Sequence, residues 1–434
     1  MFTFPHLRAQ TTRLPHTPVL SQIMTSQRGQ IAWLKDNTGF VCAGQAARFS
    51  YEDPGMTTAE DGRRFALASQ WWQELSKRTE VRDEVRTAGS GLVGFGSFSF
   101  APHSPAGSVL IVPQVIVGIS GPGTGDSTSG HAFLTLIGPD DEDIFDTLSD
   151  DARALLDAVL VGHDTHYTPM GAGRAEPTMS FADYQARVTS IKKAINANDV
   201  SKVVLARQIN IACETPIDER QVISTLAQQY QDCWTFGIDG LIGATPELLA
   251  QSQEGEVVTR VLAGTFPRDE HHAPDALLHS PKNVEEHQVA VQSAEQSLQK
   301  IGDVRVGQPF VLDLPNVRHL ATDISTMLNV NGNVLSVAGM LHPTAALGGS
   351  PKNRALELIS KLEPNDRDRF GAPVGWIGSD GAGQWCVALR CARIDSELGA
   401  RAWAGGGIMA DSDPTEEYVE TQAKFAPIMA AFQL

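Results

Sequence analysis

WTFGIDGLIGATPELLAQSQEGEVVTRVLAGTFPR (Trp234–Arg268) is a series of short apolar, β-branched runs broken by the pairs Asp239-Gly240 and Glu254-Gly255. Such pairs between apolar runs signal tight antiparallel hairpins. On the N-terminal side, Ser180 and Asp183 form a capping box, and Tyr184, Val188, Ile191 and Ile195 recur at helical spacing up to a stop at Asn198-Asp199. A strand, SKVVLARQINIAC, follows at once, with Val203, Leu205, Arg207, Ile209 and Ile211 on one face and Lys202 on the other at its start. On the C-terminal side, a helix opens at Ser280-Pro281 and runs to Gly302, WCVALRCARI and ARAWAGGGIM read as a last hairpin, and Asp413-Pro414 starts a terminal helix. Hairpin-joined strands with long helices between them predict an α+β fold: one large domain of antiparallel sheets with helices on the outside, not a doubly wound parallel sheet.

Residues 1–170 are less sharply patterned. RGQIAWLKD (28–36) reads as a strand, 61–88 as one helix, and VLIVPQVIVG (109–118) as a buried strand or hairpin arm, with Gly/Pro/Ser-rich loops at 101–107 and 118–130. The chain carries 51 acidic against 34 basic residues, a net charge of −17, which excludes nucleic acid or an anionic membrane as the expected partner. No apolar run approaches the roughly 18 residues of a membrane span, and the N-terminus lacks a signal-peptide core, so a cytoplasmic protein is expected. The five cysteines are scattered without a C-x-x-C pair and read as reduced structural thiols.

The segment AGGGIMADSDPTEEYVETQAK (404–424) sets three glycines before the terminal helix, on which Glu417, Glu420 and Lys424 share one face. That face is either a solvated, salt-bridged surface or a place where a cation and an anion are held together, and residues without a Cβ allow close approach. Lys202 stands where partial burial disfavours the ammonium and makes a usable base, or it is a strand-edge lysine. Glu247, between a Thr-Pro turn and two leucines, is placed to stay protonated and act as a general acid, or to cap. Glu285 and Glu286 suit the first turns of their helix through the dipole alone, but Glu286 with the carboxylates of the last helix also suits Mg2+. Arg390 offers a bidentate carboxylate contact, Lys424 a point charge, and His319 and His342 are possible hydrogen-bond donors.

Taken in order, KVVLAR (202–207), GATPELL (243–249), LAGT (262–265), KNVEEHQ (282–288), RHLATDI (318–324), LHPTAALGGSP (341–351), RFGAPVGW (369–376), VALRCARI (387–394) and GGGIMADSDPTEEYVETQAK (405–424) resemble the chorismate-utilising enzymes. The resemblance covers roughly 180–430 and makes 171–434 the chorismate-binding catalytic region, with 1–170 a divergent N-terminal part of the same fold. Within the family the similarity is greatest to isochorismate synthases. Lys202 matches the lysine of water-using members, which ammonia-using anthranilate and aminodeoxychorismate synthases lack there. Ala346 matches the alanine of isochorismate synthases, where pyruvate-eliminating members such as salicylate synthases carry threonine.

The resemblance implies that Lys202 activates water for attack at C2 of chorismate and that Glu247 protonates the departing C4 hydroxyl. It implies Mg2+ on Glu286 and Glu420, with Glu417 acting through water. Arg390, Gly405, Gly406 and Lys424 are implied to hold carboxylates, with Gly264, Thr265, His319 and Ala346 lining the site. Phe370 stands where many members have tyrosine, and the middle glycine of GGGIM is often alanine. A monomer without an obligate protein partner is the family's frequent state.

Overall fold

Both turn pairs of the 234–268 stretch adopt left-handed backbone, with φ of 53° and 78° at Asp239-Gly240 and 51° and 83° at Glu254-Gly255. This is the conformation of a two-residue hairpin that matches strand twist, and the registers Ile238↔Leu241 and Gln253↔Glu256 agree with it. The two hairpins do not share a sheet. Trp234–Ile238 and Leu241–Thr245 belong to a larger sheet of thirteen strands, while Leu248–Gln253 and Glu256–Pro267 belong to a second sheet of ten, counted among the described residues. The computed structural model describes residues 4–52, 62–125, 130–162, 171, 173–267, 275–313, 317–328 and 332–434.

Pairing is antiparallel throughout both sheets except at one edge, where Leu7–Arg13 runs parallel to Thr79–Asp83. Strands from before and after residue 170 form two adjoining blocks in each sheet, which meet at one pair: Ile31–Lys35 with Trp234–Ile238 in the larger sheet, and Val93–Ser97 with Pro373–Gly378 in the smaller. The chain is therefore α+β with layered antiparallel sheets.

Three segments differ from the sequence reading for identifiable reasons. In 61–88, of which residue 61 lies outside the described residues, the helix ends at Arg78. Its last fully buried position is Leu75, and Thr79–Asp83 leaves as a mostly exposed edge strand. VLIVPQVIVG is two strands, Ser108–Val112 and Val115–Ile119, in different sheets, because Pro113 cannot continue a ladder and the chain crosses over there. WCVALRCARI likewise divides into Gly383–Val387 in the smaller sheet and Cys391–Ile394 in the larger one. Only its second half pairs with Gly399–Ile408.

The two sheets face each other across an aromatic core. Phe40 packs edge-on against Phe95 and Trp376, each with centroids 5.3 Å apart. The indole N–H groups of Trp33 and Trp234 both donate to Gln384 Oε1, at 3.1 and 2.8 Å. Helices cover the outer face of the larger sheet. Tyr184, Val188 and Ile191 of the Phe181–Asn196 helix pack on Val203 and Leu205, and Phe425, Ile428 and Phe432 at the C-terminus pack on Ile209 and Ile211. Ser180 caps the first helix through Asp183 N at 3.1 Å, and Asp413 caps the terminal one through Thr415 N at 2.8 Å. Trp385 lies fully buried in the intersheet layer. Trp385→Ala is expected to destabilise the fold by about 3–5 kcal/mol through cavity formation, read as a lowered midpoint in urea unfolding.

Candidate active site

The site assembles where the chain passes from one sheet to the other. Pro246-Glu247 joins Leu241–Thr245 to Leu248–Gln253, and Ala388–Arg390 joins Gly383–Val387 to Cys391–Ile394. The two crossovers are tied together: Val387 N donates to Glu247 O at 3.0 Å, and Ala244 N to Arg390 O at 3.2 Å. Arg390 has φ +46°, an uncommon conformation for a residue with a side chain. Its guanidinium makes no hydrogen bond or ion pair among the described residues. Burial lowers its pKa, opposed by Glu247 and Glu420 among the acidic groups around it.

Glu247 is pushed up to about 7 by burial, with Arg390, Lys202 and Lys424 pulling the other way. Near neutral pH its carboxyl is therefore partly protonated, the state a proton donor needs. Glu247 and Ala346 line one small cavity of about 30 Å³, with Thr344 and the Thr259–Leu262 segment. A space of that size admits a water molecule and little more.

The strand Lys202–Cys213 pairs with Gly399–Ile408, setting Val204, Leu205 and Ala206 opposite Gly407, Gly406 and Gly405. The glycines admit side chains from both faces of the sheet. A Cβ on Gly407 would lie 2.6 Å from Lys202 Cε, and one on Gly406 would lie 2.9 Å from Glu417 Oε2. An alanine at 406 is thus accommodated only by a shift of the Glu417 carboxylate, which sits at the mobile end of its side chain. Pairing of this strand with Cys391–Ile394 stops at Ala402, and beyond that point Lys424 Nζ donates to Gly405 O at 2.8 Å.

Lys202 is not a free amine. Its Nζ donates to Glu286 Oε1 at 2.6 Å, with 14% and 25% of the two side chains exposed. Lys424 similarly pairs with Glu420 at 2.6 Å. Burial pushes Lys424 down, opposed by Glu420; burial acts to raise Glu420, but Lys424 and Arg390 hold it below its ordinary value. Glu417 accepts from Ser412 Oγ at 2.7 Å. Glu286, Glu417 and Glu420 are hard oxygen donors of the kind Mg2+ takes, so their chemistry fits that ion. As they stand, no group of three or more His, Cys, Asp or Glu side chains among the described residues is gathered to hold a metal. Two of these carboxylates instead carry a lysine.

Glu286 is placed by its neighbours. The Pro281–Leu298 helix has Ser280 at its start, but that hydroxyl accepts from the Asn283 side chain at 2.8 Å and caps no helix N–H. His287 bridges Thr322 Oγ1 at 2.7 Å and Ala263 O at 3.2 Å, pinning the helix to two strands. Its position beside Glu286 in KNVEEHQ was the available signal for this role, and the sequence reading does not single it out. Gly264 lies at a bulge where the register shifts between Ala263 and Thr265, with φ +79°. Thr265 is opposite His319 in that ladder. Burial, reinforced by Arg390 and Lys424, pushes His319 down to about 4, so it is neutral.

Phe370 is 4% exposed in the intersheet core, next to Gly371, whose N–H donates to Ala388 O at 2.8 Å in the second crossover. His342 is buried against Phe65 and Phe100, with Nε2 3.0 Å from Phe100 O, and is a structural histidine.

A family described as "Chorismate binding enzyme" matches residues 6–433. The isochorismate synthase MenF of Bacillus subtilis (strain 168) is 28% identical over 404 residues, 87% of this chain and 83% of its own. The solved menaquinone-specific isochorismate synthase MenF of Escherichia coli superposes with a TM-score of 0.78 at 23% identity, over 99% of this chain and 95% of the other. Anthranilate synthase component I of Streptococcus pneumoniae TIGR4 superposes with a TM-score of 0.67 at 17% identity, over 97% and 95%. At these identities the two superpositions establish a shared fold.

A Cβ at Gly264 would meet Asn283 Cβ at 3.0 Å and Asn283 O at 3.1 Å, in a backbone conformation that disfavours any side chain. Gly264→Ala is expected to displace the helix carrying Glu286 and lower turnover of chorismate at least about tenfold, with a lowered unfolding midpoint. Wild-type values of both would contradict this.

Proposed function

The chain belongs to the chorismate-binding enzyme family, and on that premise we propose that it is an isochorismate synthase, an isomerase that adds water at C2 of chorismate and removes the C4 hydroxyl. The observation that carries this reading is the buried Glu247 carboxyl, pushed up to about 7 by burial in the field of Arg390, Lys202 and Lys424. The name of the Bacillus subtilis relative, similar over most of both chains, supports it. The fold alone does not separate the reactions, since an anthranilate synthase component shares it.

Arg390, lacking an ion-pair partner among the described residues, and the open side of the Gly405–Gly406 backbone receive the substrate carboxylates. Lys202, once its pair with Glu286 opens and its ammonium has released a proton to solvent, takes the proton of the attacking water as the neutral amine. The new C2–O bond forms, the ring double bonds shift, and the C4–O bond breaks as Glu247 delivers its proton, so one water enters and one leaves. Glu286 and Glu420, with Glu417 through water, would hold Mg2+, which when bound would supply positive charge to the ring carboxylate. Lys424 and His319 border the same space, and Thr265 follows the Gly264 bulge on the neighbouring strand. Ala346 leaves room beside Glu247 where a threonine would add a hydroxyl. The protein acts in the cytoplasm as a monomer without an obligate partner; no helix among the described residues is long and apolar enough to cross a membrane.

Incubation with chorismate and Mg2+ followed by chromatography tests the reading: isochorismate alone is the expected product. Dominant salicylate and pyruvate would make the protein a salicylate synthase, and ammonia-dependent anthranilate an amination subunit. Lys202→Ala is expected to lower turnover at least about 100-fold while calorimetry still records chorismate binding with Mg2+; wild-type turnover would remove Lys202 as the base. Ala346→Thr is expected to raise pyruvate release, and an unchanged product ratio would show that this position does not control elimination.

A further inference from the structure

Arg207 lies on the same strand as Lys202 but faces the opposite side, and it is 2% exposed. Among the described residues no carboxylate pairs with it. Its Nε donates to Thr421 Oγ1 at 2.8 Å, and its Nη2 donates to Gln422 Oε1 at 2.9 Å and to Tyr418 O at 3.5 Å. The guanidinium carbon sits 4.0 Å from the Tyr418 ring centroid and 4.9 Å from that of Phe425. All four partners belong to the terminal helix Pro414–Ala431.

A cation buried without an anion is costly, and an apolar side chain of similar volume would pack there at less expense. Two aromatic faces and neutral acceptors offset part of that cost. What this arrangement supplies beyond packing is orientation. A planar guanidinium that hydrogen-bonds two side chains and lies over two rings constrains the roll of a helix, whereas the apolar contacts of Ile428 and Phe432 at its far end tolerate rotation. The gripped positions 418, 421, 422 and 425 interleave with 417, 420 and 424. A change in roll at the first set therefore moves the second.

We propose that Arg207 is a positioning residue for the reaction: it fixes the roll of the terminal helix on the sheet so that Glu417, Glu420 and Lys424 face the substrate. One strand then sets both halves of the site, holding Lys202 directly and the three helix groups through Arg207. This rests on the reading that those groups hold metal and substrate.

The test uses the full chain with Arg207→Lys and Arg207→Met. Lysine keeps the charge but cannot make the forked contact. Three quantities are measured: the Mg2+ dissociation constant by calorimetry without chorismate, KM and kcat for chorismate, and amide hydrogen exchange across 414–425. The expected result for Arg207→Lys is faster exchange in 414–425 with the Lys202 strand unchanged. The Mg2+ dissociation constant and KM should each rise about tenfold, as for loss of a group that orients a ligand, with kcat changed much less. A fall in kcat with unchanged KM and metal affinity would mean only a smaller folded fraction and would overturn the proposal, as would wild-type exchange. If neither Arg207 variant folds, Thr421→Val removes the acceptor of Arg207 Nε, together with the hydroxyl's own bond to Tyr418 O at 2.8 Å, and is expected to raise the Mg2+ dissociation constant about threefold; no rise overturns the proposal. A wild-type protein that binds neither Mg2+ nor chorismate would instead defeat the reading of the site, while exchange in 414–425 still decides whether Arg207 fixes the helix.

Discussion

Two adjacent passages between sheets, at Pro246-Glu247 and at Ala388–Arg390, are the constraint on which the site depends. Each sheet needs its strands continuous, and each crossover must be short, so the residues at the crossings are held by ladders on both sides. The hydrogen bonds from Val387 N to Glu247 O and from Ala244 N to Arg390 O lock the crossings to each other. An acid and a cation are thereby presented from one rigid seam. The positive φ at Arg390 is a local strain that the surrounding ladders impose.

The charge balance around that seam gives the site its chemical character. Four carboxylates, of Glu247, Glu286, Glu417 and Glu420, meet three cations, of Lys202, Arg390 and Lys424. Lys202 takes Glu286 and Lys424 takes Glu420 at 2.6 Å each, and Glu417 takes the Ser412 hydroxyl. Glu247 and Arg390 remain without an ion-pair partner among the described residues, so burial keeps one near neutrality and leaves the other able to receive an anion. An available proton beside an available guanidinium is what protonating a leaving group on a carboxylate-bearing substrate requires.

Much of the architecture was legible locally. Asp239-Gly240 and Glu254-Gly255 specify hairpins because only left-handed backbone closes a two-residue turn with the right twist, and Ser180 and Asp413 announce their helices through caps. Changes of sheet were not legible, since VLIVPQVIVG and WCVALRCARI are apolar on both sides of the crossing and their periodicity does not record which sheet a strand joins. The strand at 79–83 follows its helix without a glycine or proline to separate them. In the site, the glycine triplet suggested close approach by a ligand or another backbone, and the groups at Gly407 and Gly406 are side chains. That the approaching groups are Lys202 and Glu417, and that Lys202 meets Glu286 across 84 residues of sequence, are products of tertiary packing. Arg207 occupied an apolar-face position in the strand pattern, and its partners could not be identified before the terminal helix was placed.

The central claim is that Lys202 and Glu247 exchange one hydroxyl for another: solvent water enters at C2 as the C4 hydroxyl leaves. Conversion of chorismate in water labelled with oxygen-18, with mass spectrometry of the product, tests it most directly. Isochorismate carrying one solvent oxygen at C2 is the expected product. Product that retains the original C4 oxygen at C2 would contradict it.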